Sequence, residues 1–345
     1  MGIFYLGPLI GPLISPIIGG LLSEAFGWRS TMWFLTIYGA VVLIMIIFCL
    51  PETLSRDKLK PKASSRNPSS EDTAETSDAD ARPTPLRRVS TTQSVKLKTK
   101  RAGALFKRFF VDPLQVLLYL RYPPVIVSVY SASICFGALF VLNISIQATF
   151  AAPPYSFSVI LVGLLYLPLS LGYILASMLG GRWIDRIMVR AAQKAGRYDA
   201  DGKLVFLPED RMRENMWLAA TLYPGALIWY GWTAQHHVHW VVPCIANFFF
   251  GVGSMLVFGA VTTMLTEFMP HRSSSGVAVN NFVRNIFSCA GAVVAQPWVS
   301  AMGNGWVTTI IGLFAWVTGN VAIWLLRRNA QRWRGRMDEA LNKEK

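Results

Sequence analysis

Acidic residues are scarce in this 345-residue chain, with 19 Asp and Glu against 33 Lys and Arg, and its long apolar runs hold almost none of them. Apart from Glu24, Glu214 and Glu267, which fall at or near the ends of such runs, no carboxylate lies within any of them. A His/Asp/Glu cluster inside an apolar segment, a GxSxG turn and a metal-ligand spacing are all missing, so nothing supports a membrane-embedded enzyme. Cys49, Cys135, Cys244 and Cys289 each stand alone in an apolar run without a CxxC pair, so neither disulfides nor a structural metal is expected. His236, His237 and His239 form a HHxH tract of the kind that senses pH or binds metal, but an exposed loop accounts for it better. No metal and no cofactor is predicted.

What the chain has instead is apolar bulk. It is 53% hydrophobic, with 20 Phe, 12 Trp and only 15% charged residues, and the charges crowd between the apolar runs. This is the pattern of an all-α, polytopic membrane helical bundle. About eight spans are expected, over residues 2–22, 30–50, 123–149, 158–180, 214–234, 240–266, 274–299 and 303–326. The net charge of +14 would suggest a nucleic-acid partner in a soluble protein, but here it is a topology signal. Nearly all Lys and Arg fall in 52–122, in 182–213, at Arg272 and after Arg327, whereas the opposite loops hold only Arg29. The positive-inside rule then puts both chain ends and the 52–122 segment in the cytoplasm. The lipid bilayer is the expected medium, and no nucleic acid is expected as partner.

Residues 1–51 supply two spans, residues 123–326 six, and 327–345 a basic cytoplasmic tail. The segment 52–122, rich in Ser, Thr, Asp and Pro, cannot bury enough surface to fold and is expected to be a disordered cytoplasmic linker. Its Arg87-Arg88-Val89-Ser90 matches a basophilic kinase site, which makes Ser90 a candidate phosphosite, although disordered loops offer such matches often. The stretches FGWRSTMWF and NGWVTTIIG echo one another at the starts of the second and eighth spans. If this is an internal repeat, six helices form one complete half, two are the end of another half, and four more are expected upstream. Chance accounts for the echo equally well, since Trp is common at membrane interfaces.

Polar side chains inside spans are costly in lipid and normally face a cavity or another helix. Asn143 and Gln147 share a helix face, as do Tyr166 and Tyr173. Asn247 stands among three Phe, and Asn280, Asn281, Arg284 and Asn285 cluster in the seventh span. An aromatic-walled cavity with a few amides would suit bulky, weakly basic or amphiphilic organic solutes. Asn143, Gln147, Tyr166, Tyr173, Asn247, Asn281 and Arg284 are therefore substrate-path candidates, an interhelical hydrogen bond being the alternative for each. Arg284 is the strongest, because a lone intramembrane cation needs a partner or a pore.

Four stretches carry a family resemblance. GPLIGPLISPIIGG resembles the antiporter motif in the fifth helix of drug:proton antiporters of the major facilitator superfamily, with Gly7, Gly11, Pro12, Gly19 and Gly20 in place and Pro16 interrupting. GWRSTMWF and PETL resemble the start and end of the sixth helix in the fungal twelve-span branch. GGRWIDR, with Gly181, Asp185 and Arg186, is similar to the superfamily's cytoplasmic loop motif but lacks its later glycine. SSSGVAVNNFVRNIFSCAGAVVAQP resembles the eleventh helix of the quinidine-resistance and dityrosine-exporter subgroup. The resemblance implies the major facilitator fold, lacking the first four helices. It implies proton-coupled export of drugs, organic cations or related metabolites by alternating access, with a small organic substrate and protons as partners. A monomer is expected, in the plasma membrane or alternatively the vacuolar membrane. The antiporter motif would seal one side of the cavity, and Asp185 with Arg186 would form a latch; ordinary packing and a solvated helix end are the competing readings. A coupling carboxylate would be Glu24, Glu214 or Glu267, or would lie on the absent helices. The competing overall reading is a truncated, non-transporting membrane scaffold or regulator.

Overall fold

The structure, a computed structural model, describes residues 2–49, 115–199, 202–207, 214–268 and 273–343. The chain divides into two units, residues 1–31 with 111–345, and residues 32–110. The described part of the second unit continues an apolar helix to Cys49, with Phe34 and Tyr38 stacked one turn apart at 6.4 Å. The candidate phosphosite Ser90 and most of the expected linker lie outside the described residues.

Nine helices are present among the described residues: α1 (Gly2–Phe26), α2 (Trp28–Cys49), α3 (Pro123–Ala151), α4 (Val159–Leu164), α5 (Leu167–Lys194), α6 (Glu214–Gln235), α7 (Val241–Phe268), α8 (Ser273–Met302) and α9 (Asn304–Lys343). Six spans, counting α4 and α5 together, are long and apolar enough to cross a membrane; α1 and α6, at 25 and 22 residues, match the other two expected spans in length. An isolated bridge between Tyr198 and Leu204 is the sole β pairing among the described residues.

Local chemistry sets the breaks. Gly27 and Gly303 take φ of +78° and +83°, a left-handed conformation that glycine adopts freely, and each breaks the chain between two long helices. In the FGW/NGW echo the Gly27 of the first copy is the break itself, whereas the Gly305 of the second is helical and the break falls at Gly303. Between α4 and α5, Pro168 in the first turn cannot donate to the Leu164 carbonyl, and the helix is interrupted at Leu165 and Tyr166. The Ser158 side chain caps α4 through the Leu161 N–H.

Three boundaries differ from those expected. Residues 115–121, expected within the linker, form a 3₁₀ helix packed on α3 and α8. α5 runs to Lys194 rather than ending near 180, so the GGRWIDR motif is helical and not a loop. The expected basic tail is helical too, because α9 spans 40 residues, or about 60 Å, twice the hydrocarbon thickness of about 30 Å. Met337, deep in that extension, is 1% exposed and Trp333 packs against the core, so this segment is docked.

The bundle packs α3 on α8, α6 on α7 and α9, and α5 on α7, with α1 against α4 and α5. Its crossings are made by glycine, as helix association in lipid favours. A Cβ on Gly172 would collide with the Phe248 carbonyl and one on Gly251 with that of Leu169, which makes the α5–α7 crossing reciprocal. Between α3 and α8 a Cβ on Gly291 would collide with the Gly137 carbonyl, and one on Gly137 would press on that of Phe287 at 3.2 Å. The outer faces remain apolar and exposed, from Ile126 and Leu179 to Val293 and Phe314, as a lipid-facing surface requires.

Candidate functional site

Among the described residues a cavity of about 510 Å³ opens between α3, α5, α7 and α8. Arg284 of α8 reaches into it. Its guanidinium carbon lies 4.2 Å from the ring centre of Phe136 on α3 and 5.3 Å from that of Phe258 on α7, and those two rings meet edge to face at 5.8 Å. No carboxylate among the described residues pairs with Arg284, and its buried Nε has no hydrogen-bond partner there. An unpaired cation at membrane depth costs about 2.5–3.5 kcal/mol on insertion scales. Two cation–π contacts, about 0.5–2 kcal/mol each, offset part of that without neutralising the charge.

Tyr173 of α5 shares the cavity and lies, with Cys135, close enough to act on the Arg284 charge. Ser254 stands beside the Tyr173 hydroxyl, but its own proton goes to the Phe250 carbonyl at 2.7 Å, and no hydrogen bond of normal geometry joins the two. Thr262 and Thr263 contribute hydroxyls whose protons bond back to carbonyls one turn earlier. Asp185 also lines the cavity, exposed, twelve residues after Tyr173 on α5. The sequence reading placed no carboxylate here because it ended the span at 180; the helical extension of α5 is what brings Asp185 in.

The other polar candidates divide. The Tyr166 hydroxyl donates to the Asn143 backbone carbonyl at 2.8 Å, so these two residues tie α3 to the α4–α5 break. Gln147 is exposed and does not share the half-buried environment of Asn143. Asn247 is 1% exposed with neither amide atom partnered among the described residues, and the Asn280 Oδ1 is likewise buried and unpartnered. Asn281 is exposed, its carbonyl accepting the Asn285 amide at 2.8 Å. The structure thus brings Tyr173 and Arg284 together in the cavity, joins Tyr166 to Asn143 away from it, and leaves Gln147, Asn247 and Asn281 apart.

The antiporter-motif residues lie on one unbroken helix, α1. Gly7 and Pro12 occupy its backbone without described side-chain surroundings, and Gly11 and Gly19 face open space. Contact is made by Pro16 and Gly20: a Cβ on Gly163 would come 2.7 Å from the Pro16 carbonyl, and one on Gly20 would come 3.3 Å from Ile160 Cα. One turn beyond Gly20, a Glu24 carboxylate oxygen accepts the Ile160 N–H at 3.1 Å. In the cytoplasmic loop motif, Gly180 packs on Leu256, while Gly181 is open and Asp185 and Arg186 are exposed, with no ion pair between them. Residues 269–272, ahead of the α8 N-terminus that a latch would engage, are outside the described residues.

Sequence reasoning missed a buried polar network at the opposite end of the bundle. The Ser145 hydroxyl donates to Asn304 Oδ1 at 2.7 Å, and Asn304 Nδ2 donates to Thr149 Oγ1 at 2.7 Å. Since the single Ser145 proton is committed, Tyr230 is the donor in the 3.1 Å Tyr230–Ser145 bond. Nearby, the Gly305 N–H donates to Gln235 Oε1 at 2.6 Å and Trp232 Nε1 to Thr309 Oγ1 at 3.0 Å. The histidines turn to three different rings: His236 to Trp232, His237 to Tyr155 and His239 to Trp240.

A family description, Major Facilitator Superfamily, matches residues 1–292. The chain belongs to that superfamily. It is 43% identical over 333 residues to the MFS transporter OpS2 of Beauveria bassiana, covering 96% of this chain and 90% of that protein. It is 50% identical over 224 residues to an MFS-type transporter of Gibberella moniliformis, covering 65% of this chain and 98% of the relative. The MFS antiporter QDR3 of Candida albicans is 30% identical over 423 residues, covering 96% of this chain but only 60% of its own length. The Quinidine resistance protein 3 of Saccharomyces cerevisiae matches at 32% over 230 residues. The resemblance to a fungal drug-efflux subgroup read from the motifs is therefore the right one, and this major facilitator protein is a multi-pass transmembrane transporter rather than an enzyme.

Proposed function

We propose that this chain is an exporter for bulky aromatic or amphiphilic organic molecules, drugs and related metabolites, which works by alternating access and is driven by protons. The observation that carries the proposal is the aromatic-walled cavity of about 510 Å³ with Arg284 and Tyr173 inside it, in the size range of small-molecule sites. Support for export comes from relatives named as an antiporter, a quinidine resistance protein and an efflux pump. Support for coupling comes from Asp185, the carboxylate in the cavity wall. The Pro16/Gly20 face of α1 against α4 is the seam that would open and close on one side, and the protein acts as a monomer in the plasma membrane.

Purified full-length chain in proteoliposomes provides the test. An imposed proton gradient should drive accumulation of a fluorescent aromatic drug, and a protonophore should collapse it. Equal accumulation with and without the gradient would remove coupling; no movement of any drug in a broad panel would leave the scaffold reading in its place.

A further inference from the structure

Resting on that reading of the cavity, we propose that the site selects organic anions: an aromatic or amphiphilic body bearing a carboxylate or phenolate, whose oxygens dock on Arg284. The sequence reading favoured organic cations, and the geometry points the other way.

Of the residues lining the cavity only Arg284 and Asp185 carry charge. They stand at different depths. Arg284 packs on Phe136 and shares the cavity with Tyr173, whereas Asp185 follows Tyr173 by twelve residues of continuous helix, about 18 Å along the axis. Asp185 is exposed, so water and counterions screen it beyond about 8 Å at physiological salt. The deep part of the cavity therefore has one uncompensated sign, and it is positive.

The way Arg284 is held sharpens this. Phe136 engages the guanidinium over its ring at 4.2 Å, with Phe258 at 5.3 Å. Because those rings stand at 76° to one another, at most one of them covers the flat face of the guanidinium, and a planar carboxylate is gripped bidentately by in-plane N–H donors. Aromatic contact stabilises the cation without satisfying those donors, and the buried Nε is in fact unpartnered among the described residues. Tyr173 adds a phenolic donor. The apolar wall of Leu139, Ile184, Met255 and Leu256 receives the body of the ligand. A cationic ligand entering the same depth would meet Arg284, with no carboxylate among the described residues there to receive its charge.

The test uses three probes with one aromatic skeleton: 1-naphthaleneacetate, 1-naphthaleneacetamide and 1-(2-aminoethyl)naphthalene. Binding to the purified full-length chain is measured at neutral pH by equilibrium dialysis. The acetate should bind about tenfold or more tighter than the amide or the amine, as expected for a charge-assisted bidentate contact. Arg284→Gln should abolish the acetate's advantage over the amide, whatever each loses separately, because the charge pairing is gone. Arg284→Lys, which keeps the charge but not the fork, should retain part of the preference, and unchanged thermal unfolding of both purified variants reports that they are folded. Preference for the amine, or an acetate affinity untouched by Arg284→Gln, overturns the proposal. If all three probes bind equally the cavity stands and the anion selectivity falls; if none binds, the cavity reading itself falls and takes this inference with it.

Discussion

The Ser145 hydroxyl and the Asn304 side chain, 159 positions apart in sequence, meet at 2.7 Å in the core, where both residues are buried. Through Thr149 and Tyr230 the contact ties α3, α6 and α9 into one block at the end of the bundle opposite the basic loops. In lipid no water replaces a lost partner at such depth, so a half-broken network is worse than none. Asn304→Ala, which orphans Ser145 and Thr149 together, should lower stability by about 1–3 kcal/mol. Ser145→Ala should cost less, about 0.6–1.7 kcal/mol, the range of single interhelical bonds in membranes. Thermal unfolding of the purified variants checks both, and equal stability for Asn304→Ala and wild type would show that the network does not hold the helices.

Gly231 faces Thr308 across the α6–α9 crossing so closely that a Cβ would overlap the threonine side chain. Gly231→Ala should therefore destabilise by about 1–3 kcal/mol through overpacking. Pairing it with Thr308→Ala should recover part of the loss, because the hydroxyl that the new methyl strikes is gone. A double variant no more stable than Gly231→Ala would place the clash elsewhere.

The Glu24 carboxylate bonded to the Ile160 N–H at 3.1 Å fastens the end of α1 to the first turn of α4, next to the tight Gly20–Ile160 approach. An anion at a helix start contributes about 0.3–1 kcal/mol at an exposed position. Glu24→Gln should loosen the seam by that amount, and a cysteine replacing Ser158 should then react about two- to fivefold faster with a thiol reagent. Unchanged labelling would reduce the contact to a surface hydrogen bond.

Hydropathy located the spans to within a few residues because lipid contact demands long apolar runs, and α1, α3, α6, α7 and α8 begin and end close to where those runs do. The same signal is blind past the membrane edge. It ended α5 and α9 where charge appears, although both helices continue on polar residues, to Lys194 and Lys343. That is why Asp185 was read as a helix-end latch and not as part of a cavity wall. Arg284 and Tyr173 could be singled out since each is conspicuous in its own span, but their meeting is a tertiary fact. Ser145, Thr149 and Asn304 gave no signal at all: hydroxyl residues in spans usually bond back to their own helix, as Ser128, Ser133 and Thr318 do here, and nothing local marks the ones that bridge helices instead.

Charge asymmetry also predicts which way the bundle faces. In a variant lacking the native cysteines, a cysteine replacing Ala152, in the turn between α3 and α4, should react with an impermeant reagent added outside cells. One replacing Ser69, in the long polar segment, should react only after the membrane is permeabilised. The reverse pattern would invert the orientation and put the basic segments outside.

Asp185 provides the last prediction, since it lines the cavity with Arg284 and is the carboxylate that coupling would use. A coupling carboxylate must alternate between protonated and ionised forms as the site changes sides, whereas a latch needs only its negative charge in one of the two states. Asp185→Asn, which fixes a neutral side chain of the same shape, separates the two roles. If Asp185 couples, proteoliposomes with the variant should lose gradient-driven accumulation by about tenfold or more while still exchanging labelled for unlabelled substrate, because exchange needs no net proton movement. If Asp185 is a latch, exchange falls together with accumulation, since the conformational change that both require is impaired. Accumulation at the wild-type rate would exclude Asp185 from either role and move the coupling to Glu24, Glu214, Glu267 or a carboxylate outside the described residues.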